Sequence, residues 1–250
     1  MTVDVNVSES SLPDAVLRPV RDGNAFESTV EHLATAIRLG VFAAGERLPA
    51  ERDLAERLKV SRATLREAIG ALRQTGLVET HRGRSGGTVV VYTGPHRDPA
   101  SGVARLNRER YTDARIFDAL AFRRVVEPGA AQLAASLPLS AEARGRLVTA
   151  LDAVCNASGD GARRVADTRF HLAIATLSGS LMLVDAVADS QAVLTDLLAA
   201  IPVLEPNIVH SDAQHQSVVR AILGGDACTA RRVMEEHCDA TSALLRGLIE

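Results

Sequence analysis

Residues 48–84, LPAERDLAERLKVSRATLREAIGALRQTGLVETHRGR, decide how this chain is read. Leu54, Ala55 and Leu58 recur at helical spacing and give a short helix one apolar face. Ser61 is a good N-cap for a second helix, in which Leu65, Ala68, Ile69 and Leu72 point inward and which ends at Gly76. Leu77–Thr80 and Thr88–Tyr92 are rich in β-branched residues and predict two strands. Arg82-Gly83-Arg84-Ser85-Gly86-Gly87 between them is the expected hairpin loop. Two helices joined by a tight turn and followed by a basic-tipped hairpin are the layout of a DNA-reading unit.

Upstream, Val30, Leu33, Ala34 and Ile37 predict a further helix from Phe26, closed by Gly40, with residues 44–49 turning into the next. The expected organisation is a flexible polar tail over 1–23, a winged helix-turn-helix over 24–92, a linker over 93–110 and a helical domain over 111–250. The linker segment holds two prolines and two glycines without periodicity. Beyond it, apolar spacing predicts helices over roughly 112–135, 140–156, 162–178, 181–201, 206–223 and 226–248. Pro128 is expected to kink or split the first of them. The fold class that follows is mostly α, an N-terminal winged helix followed by an all-α antiparallel bundle.

Composition agrees. Of 250 residues, 46% are hydrophobic but only 3% aromatic, with no Trp, which favours helices packed through aliphatic side chains. The net charge of −3 hides an asymmetry. Residues 59–84 carry six basic residues against two acidic ones, a local positive patch on an acidic whole. Three cysteines without C-x-x-C spacing point to a reducing cytoplasm. Neither a secretory leader nor an apolar run of membrane-spanning length is evident.

Only the N-terminal turns of a recognition helix reach base edges in the major groove. Here those turns carry Arg62, Thr64 and Arg66. Arg62 and Arg66 are four apart and share a face. Arginine suits bidentate contact with guanine, which discriminates by about 1–3 kcal/mol per good pair. Arg52, near the start of the preceding helix, can reach phosphate or base. Arg82 with Gly83 at the hairpin tip can enter the adjacent minor groove. Each arginine taken alone reads equally as a solvated charge; the joint arrangement is what points to DNA.

These motifs resemble the winged helix-turn-helix of GntR-type transcriptional regulators: Leu48-Pro49-Ala50-Glu51-Arg52-Asp53-Leu54-Ala55, Val60-Ser61-Arg62, Thr64-Leu65-Arg66-Glu67-Ala68, and Gly76-Leu77-Val78-Glu79 with Arg82-Gly83. The resemblance implies DNA contacts at Arg52, Arg62, Thr64, Arg66 and Gly83. It also implies homodimers on short palindromic operators of double-stranded DNA. Position 63, often Thr in relatives, is Ala63 here.

The later helices raise a second chemistry. Asp167 and His171 are spaced i, i+4, on one face of one helix. His215 and His237 lie in later helices that a bundle can bring alongside. One carboxylate and three imidazoles suit Zn, Ni or Mn and leave coordination positions free. Surface or hydrogen-bonded histidines are the commoner use of the residue, so spacing alone leaves both readings open. Arg123-x-x-x-Glu127, Asp167-x-x-Phe170-His171, His215 followed by Ala221-Ile222, and His237 resemble the FadR-like C-terminal effector domain called FCD. That resemblance implies metal ligands at Asp167, His171, His215 and His237.

Ser178-Gly179-Ser180 departs from the Ser-Gly-Asn of many relatives. Arg123 reads either as the partner of an effector carboxylate or as half of a structural pair with Glu127. His210 is read as peripheral, Cys238 as a small buried hydrophobe and Asp212 as a solvated charge. The expectation is an effector-responsive, metal-dependent repressor and not an enzyme, since neither G-x-S-x-G nor H-E-x-x-H is present. Two other readings are a metal-free pocket for a larger ligand such as an acyl thioester, and a metalloenzyme fused to a DNA reader.

Overall fold

The Ser61 hydroxyl accepts the Thr64 amide at 3.0 Å and starts the recognition helix where the sequence places it. The computed structural model describes residues 17, 25–81, 87–93, 112–199 and 205–249. These fall into two compact units, one within 11–94 and one within 95–250. Apart from residues 17 and 93, the expected tail 1–23 and linker 93–110 lie outside the described residues.

The first unit holds helices α1 (Ala25–Arg38), α2 (Glu51–Leu58) and α3 (Arg62–Gln74) and strands β1 (Val78–His81) and β2 (Gly87–Val90). Leu54, Leu58, Leu65 and Leu72 are all but inaccessible to solvent and lock α2 onto α3. Between these helices, Lys59 takes the left-handed conformation at φ 53°, the one non-glycine among the described residues with positive φ. The Val60 amide then bonds the Ala55 carbonyl at 3.0 Å, which closes the turn. The strands pair antiparallel, Val78 opposite Val90 and His81 opposite Gly87. Arg47 adds an isolated bridge to Val89, so the segment expected as a plain turn also pairs with the wing.

The second unit is the expected bundle: α4 (Asp113–Ser136), α5 (Ala141–Cys155), α6 (Asp160–Leu177), α7 (Leu181–Ala199), α8 (Glu205–Gly224) and α9 (Ala227–Ile249). Ser140 and Ser180 cap α5 and α7 by accepting the Ala143 and Leu183 amides. Ser180 therefore does at the α7 N-terminus what the Asn of relatives is also suited to do.

Of the two outcomes expected at Pro128, a kink or a split, the split does not occur: α4 runs unbroken from Asp113 to Ser136. A proline deletes one helical hydrogen bond, and α4 is held from several sides, by α6, α7, α8 and α9. Phe170, Ile174, Val218, Ile222 and Met234 centre the main core, while Leu120, Leu194, Leu197 and Leu245 form a second cluster. No helix among the described residues is long and apolar enough to cross a membrane.

Candidate functional site

Helix α6 carries Asp167 and His171, α8 carries His215, α9 carries His237 and α4 carries Arg123 and Glu127. Apolar packing brings these four helices together. Phe170, fully buried in the main core, lies with its ring centroid 4.5 Å from that of His215 and 5.5 Å from that of His171. The three imidazole centroids are 4.6–5.4 Å apart. Each ring offers a nitrogen within 4.8 Å of the others. Asp167 Oδ1 lies 3.6 Å from His215 Nε2, and Oδ2 lies 3.9 Å from His171 Nε2. Donors bonded at ~2.1 Å to one tetrahedral ion stand about 3.4 Å apart. Two different oxygens of Asp167 thus lie near ligand spacing from two of the rings, while the close donor group is the three imidazoles, which would have to draw together to share an ion.

The surroundings fix how these rings present their lone pairs. Glu127 Oε2 stands 2.7 Å from His171 Nδ1, an ion-pair-range approach and not an aligned hydrogen bond. It favours the proton on Nδ1 and leaves the Nε2 lone pair facing Asp167. His237 Nδ1 bonds Gln214 Oε1 at 3.2 Å, with the same consequence for its Nε2. His171 Nε2 and both ring nitrogens of His215 are buried without a hydrogen-bond partner. Burial, against the opposing pull of Asp167, depresses His215 to about 3. Burial and then His215 push His237 well below the ordinary range. His215 and His237, buried and held neutral, offer the lone pairs that a divalent ion needs, so these residues fit a metal.

Glu127 is the hub, a role that sequence reasoning did not give it. Its Oε1 accepts from Arg123 Nε at 3.1 Å and from Gln191 Nε2 at 2.7 Å, all three residues being buried. Burial alone would raise its carboxyl, but Arg123 and His171 hold it at about 2. The i, i+4 spacing of Arg123 and Glu127 was legible; Gln191, from a different helix, carried no signal. Arg123 makes the pair with Glu127 and also keeps Nη1 buried without a partner. It lines a cavity of about 120 Å³ together with Asp167, Thr168, Gln191, Gln214 and His237.

Asp212 is not the solvated charge expected from sequence. It is half-buried, paired with Arg163, and burial raises its carboxyl. His210 is exposed but does line the cavity. Cys238 is buried as expected, its thiol pushed up to about 12 by that burial.

In the first unit Arg52, Arg62 and Arg66 are exposed at the start of their helices. Arg66 Nε donates to Glu51 Oε2 at 2.7 Å and Arg52 Nε to Asp53 Oδ1 at 3.1 Å. Thr64 Oγ1 lies 2.8 Å from Ser61 Oγ, so the cap and this hydroxyl share one local bond. Arg82 and Gly83 lie outside the described residues. Among the described residues Arg62 makes no hydrogen bond, and α3 keeps its opposite face, Leu65 to Leu72, in the core.

A helix-turn-helix with a hairpin wing, followed in the same chain by a domain with six described helices, is the build of a DNA-binding transcriptional regulator. Residues 26–90 match the profile described as "Bacterial regulatory proteins, gntR family", and residues 118–240 match that of the FCD domain. The chain belongs to the GntR family, in the group that carries an FCD domain, whose members are DNA-binding regulators and not enzymes.

Among curated relatives it is 33% identical over 218 residues to the putative HTH-type transcriptional regulator RmpR of Mycobacterium gastri, covering 84% of this chain and 76% of that one. It is also 33% identical over 199 residues to the putative L-lactate dehydrogenase operon regulatory protein of Escherichia coli, covering 78% and 76%. Among solved structures, E. coli McbR/YncC shares the fold with a TM-score of 0.54 at 17% identity, covering 90% of this chain and 99% of that one.

Proposed function

We propose that this regulator senses a small organic acid through a divalent ion held in its helical domain, and that occupancy of that site changes operator binding. Asp167, His171, His215 and His237 would hold the ion, as Zn, Ni or Mn. Once bound, it supplies positive charge and open coordination positions for a carboxylate. Arg123, with a buried guanidinium nitrogen unpartnered at the cavity wall, would pair with the same ligand. On the DNA side, Arg52, Arg62, Thr64, Arg66, Arg82 and Gly83 would contact a palindromic operator, with two chains as a homodimer and repression as the outcome. The domains would run 24–92 and 111–250, with 93–110 linking them.

One observation carries this reading: three buried imidazoles converge beside a carboxylate, with ring nitrogens of His171 and His215 left without a hydrogen-bond partner. Leaving a buried polar atom unpaired costs about 1–3 kcal/mol, which bound metal removes. The cavity of about 120 Å³ favours a small ligand over an acyl thioester. It has room for about ten waters at ~10–15 Å³ each. The test is elemental analysis of protein purified without chelator, beside His215→Ala. Bound metal near one per chain in the wild type and its loss in the variant are expected; full content in His215→Ala would refute the ligand set. A thermal-shift screen of small carboxylates with and without metal then tests the effector.

A further inference from the structure

The segment before α2, which the sequence reads only as a turn, runs along the free edge of β2. The Leu48 amide donates to the Thr88 carbonyl at 2.9 Å and the Val90 amide to the Glu46 carbonyl at 2.9 Å. The Gly45 amide donates to the Val90 carbonyl at 2.8 Å. Arg47 stands opposite Val89 in an antiparallel bridge, and Val89 stands opposite Glu79. Residues opposite one another share a face of the pairing. Arg47, Val89 and Glu79 therefore make one row, with Gly87 and His81 as the next row on the same face. Val78, Thr88 and Val90 are buried on the other face, so the Arg47 face is the one turned away from the core.

The Arg47 side chain has a definite direction. Its backbone faces Val89, yet its Cδ lies 3.9 Å from the point where a Cβ on Gly87 would stand. The stem thus slants two residues along β2, toward the end at which β1 and β2 are joined through residues 82–86. Arg47 is exposed and, among the described residues, makes no hydrogen bond or ion pair. The two carboxylates of the paired segments are engaged elsewhere. Glu46 accepts the Ala43 amide at 2.8 Å, and Glu79 lies 3.8 Å from His81 Nε2. A cation therefore lies along the wing, aimed at its joined end, with no counter-charge among the described residues.

Width decides what this cation can meet. Paired segments lie ~4.8 Å apart, so the Arg47 segment stands about 10 Å from β1. The minor groove of B-DNA is only ~6 Å wide. A hairpin tip fits into it; a third segment beside the hairpin does not, and must rest against the wall, which is sugar and phosphate. We propose that Arg47 is a further DNA contact of this regulator, binding a backbone phosphate on the wall of the minor groove that the wing enters. Phosphate contacts fix register and carry no sequence information, so Arg47 seats the wing without reading bases. The proposal rests on the reading above in which Arg82 and Gly83 enter that groove.

The experiment uses the full chain and, as probe, a duplex that the wild type selects from a randomised pool, together with single-base-pair variants of that duplex. Affinities are measured by fluorescence anisotropy from about 50 to about 200 mM salt. Each phosphate neutralised on B-DNA contributes about −0.9 to the slope of log K against log salt. Arg47→Gln is expected to make that slope shallower by about 0.9 per bound chain, and to weaken every duplex by the same factor. Arg47→Lys is expected to keep the wild-type slope. An unchanged slope in Arg47→Gln overturns the contact, and so does a loss confined to particular base pairs, which would make Arg47 a base reader. Arg82→Ala tests the premise separately. If it leaves slope and base preference as in the wild type, the wing does not enter the groove and the underlying reading fails. If Arg82→Ala alters them and Arg47→Gln does not, the assignment of Arg47 alone falls.

Discussion

Glu127 Oε2 stands 2.7 Å from His171 Nδ1, while Oε1 of the same carboxylate takes the hydrogen bonds of Arg123 and Gln191. One buried carboxylate therefore orients both the imidazole proposed to bind metal and the guanidinium proposed to bind the effector. A change at Glu127 must be felt at both.

Glu127→Gln keeps the shape and removes the charge. Loss of a carboxylate that orients a ligand histidine typically weakens metal binding by about 10–100-fold. A chelator-competition titration is expected to show a fall in that range together with a lower melting temperature, since Arg123 keeps a buried charge without its counter-ion. Unchanged metal affinity would remove Glu127 from the site.

Metal-free protein should lose stability as pH falls below about 6.5. The folded-state pKa of His215 is depressed to about 3, and that of His237 is also lowered. Between the folded value and the ordinary 6.5 the unfolded chain therefore binds more protons. The contribution of these residues is complete above pH 6.5 and is lost progressively toward pH 3. Melting curves in chelator from pH 7.5 to 5 should show the decline, and His215→Phe should flatten it. Equal slopes in the two proteins would argue against a neutral buried His215.

Arg62→Ala and Arg66→Ala should each lower operator affinity by about 1–3 kcal/mol if each reads a base. Fluorescence anisotropy against operator and scrambled duplexes checks this, the scrambled duplex losing less. Undiminished specific binding by the double variant would defeat the recognition-helix assignment.

Lys59→Gly should stabilise the first unit by up to about 1 kcal/mol, because the left-handed backbone at φ 53° costs an L-residue and not glycine. The transition of that unit in urea should move to higher denaturant. A shift to lower denaturant would mean that the lysine side chain makes a contact outweighing its backbone cost.

Local rules made much of this protein legible in its sequence. Ser61, Leu65 and Leu72 announced the recognition helix, and Thr80 and Thr88 the wing strands, because caps, strands and apolar periodicity are properties of neighbours in the chain. The i, i+4 pairs Arg123–Glu127 and Asp167–His171 were legible for the same reason. The tertiary structure alone decided what helices α4, α6, α7, α8 and α9 bring together: Gln191 on Glu127, Gln214 on His237, Arg163 on Asp212, and His215 beside Asp167. It also decided that Pro128 sits within an unbroken helix, since packing from several sides outweighs one deleted hydrogen bond. A sequence states which side chains share a face; which faces meet, and how deeply water is excluded where they do, depends on packing between segments remote in the chain.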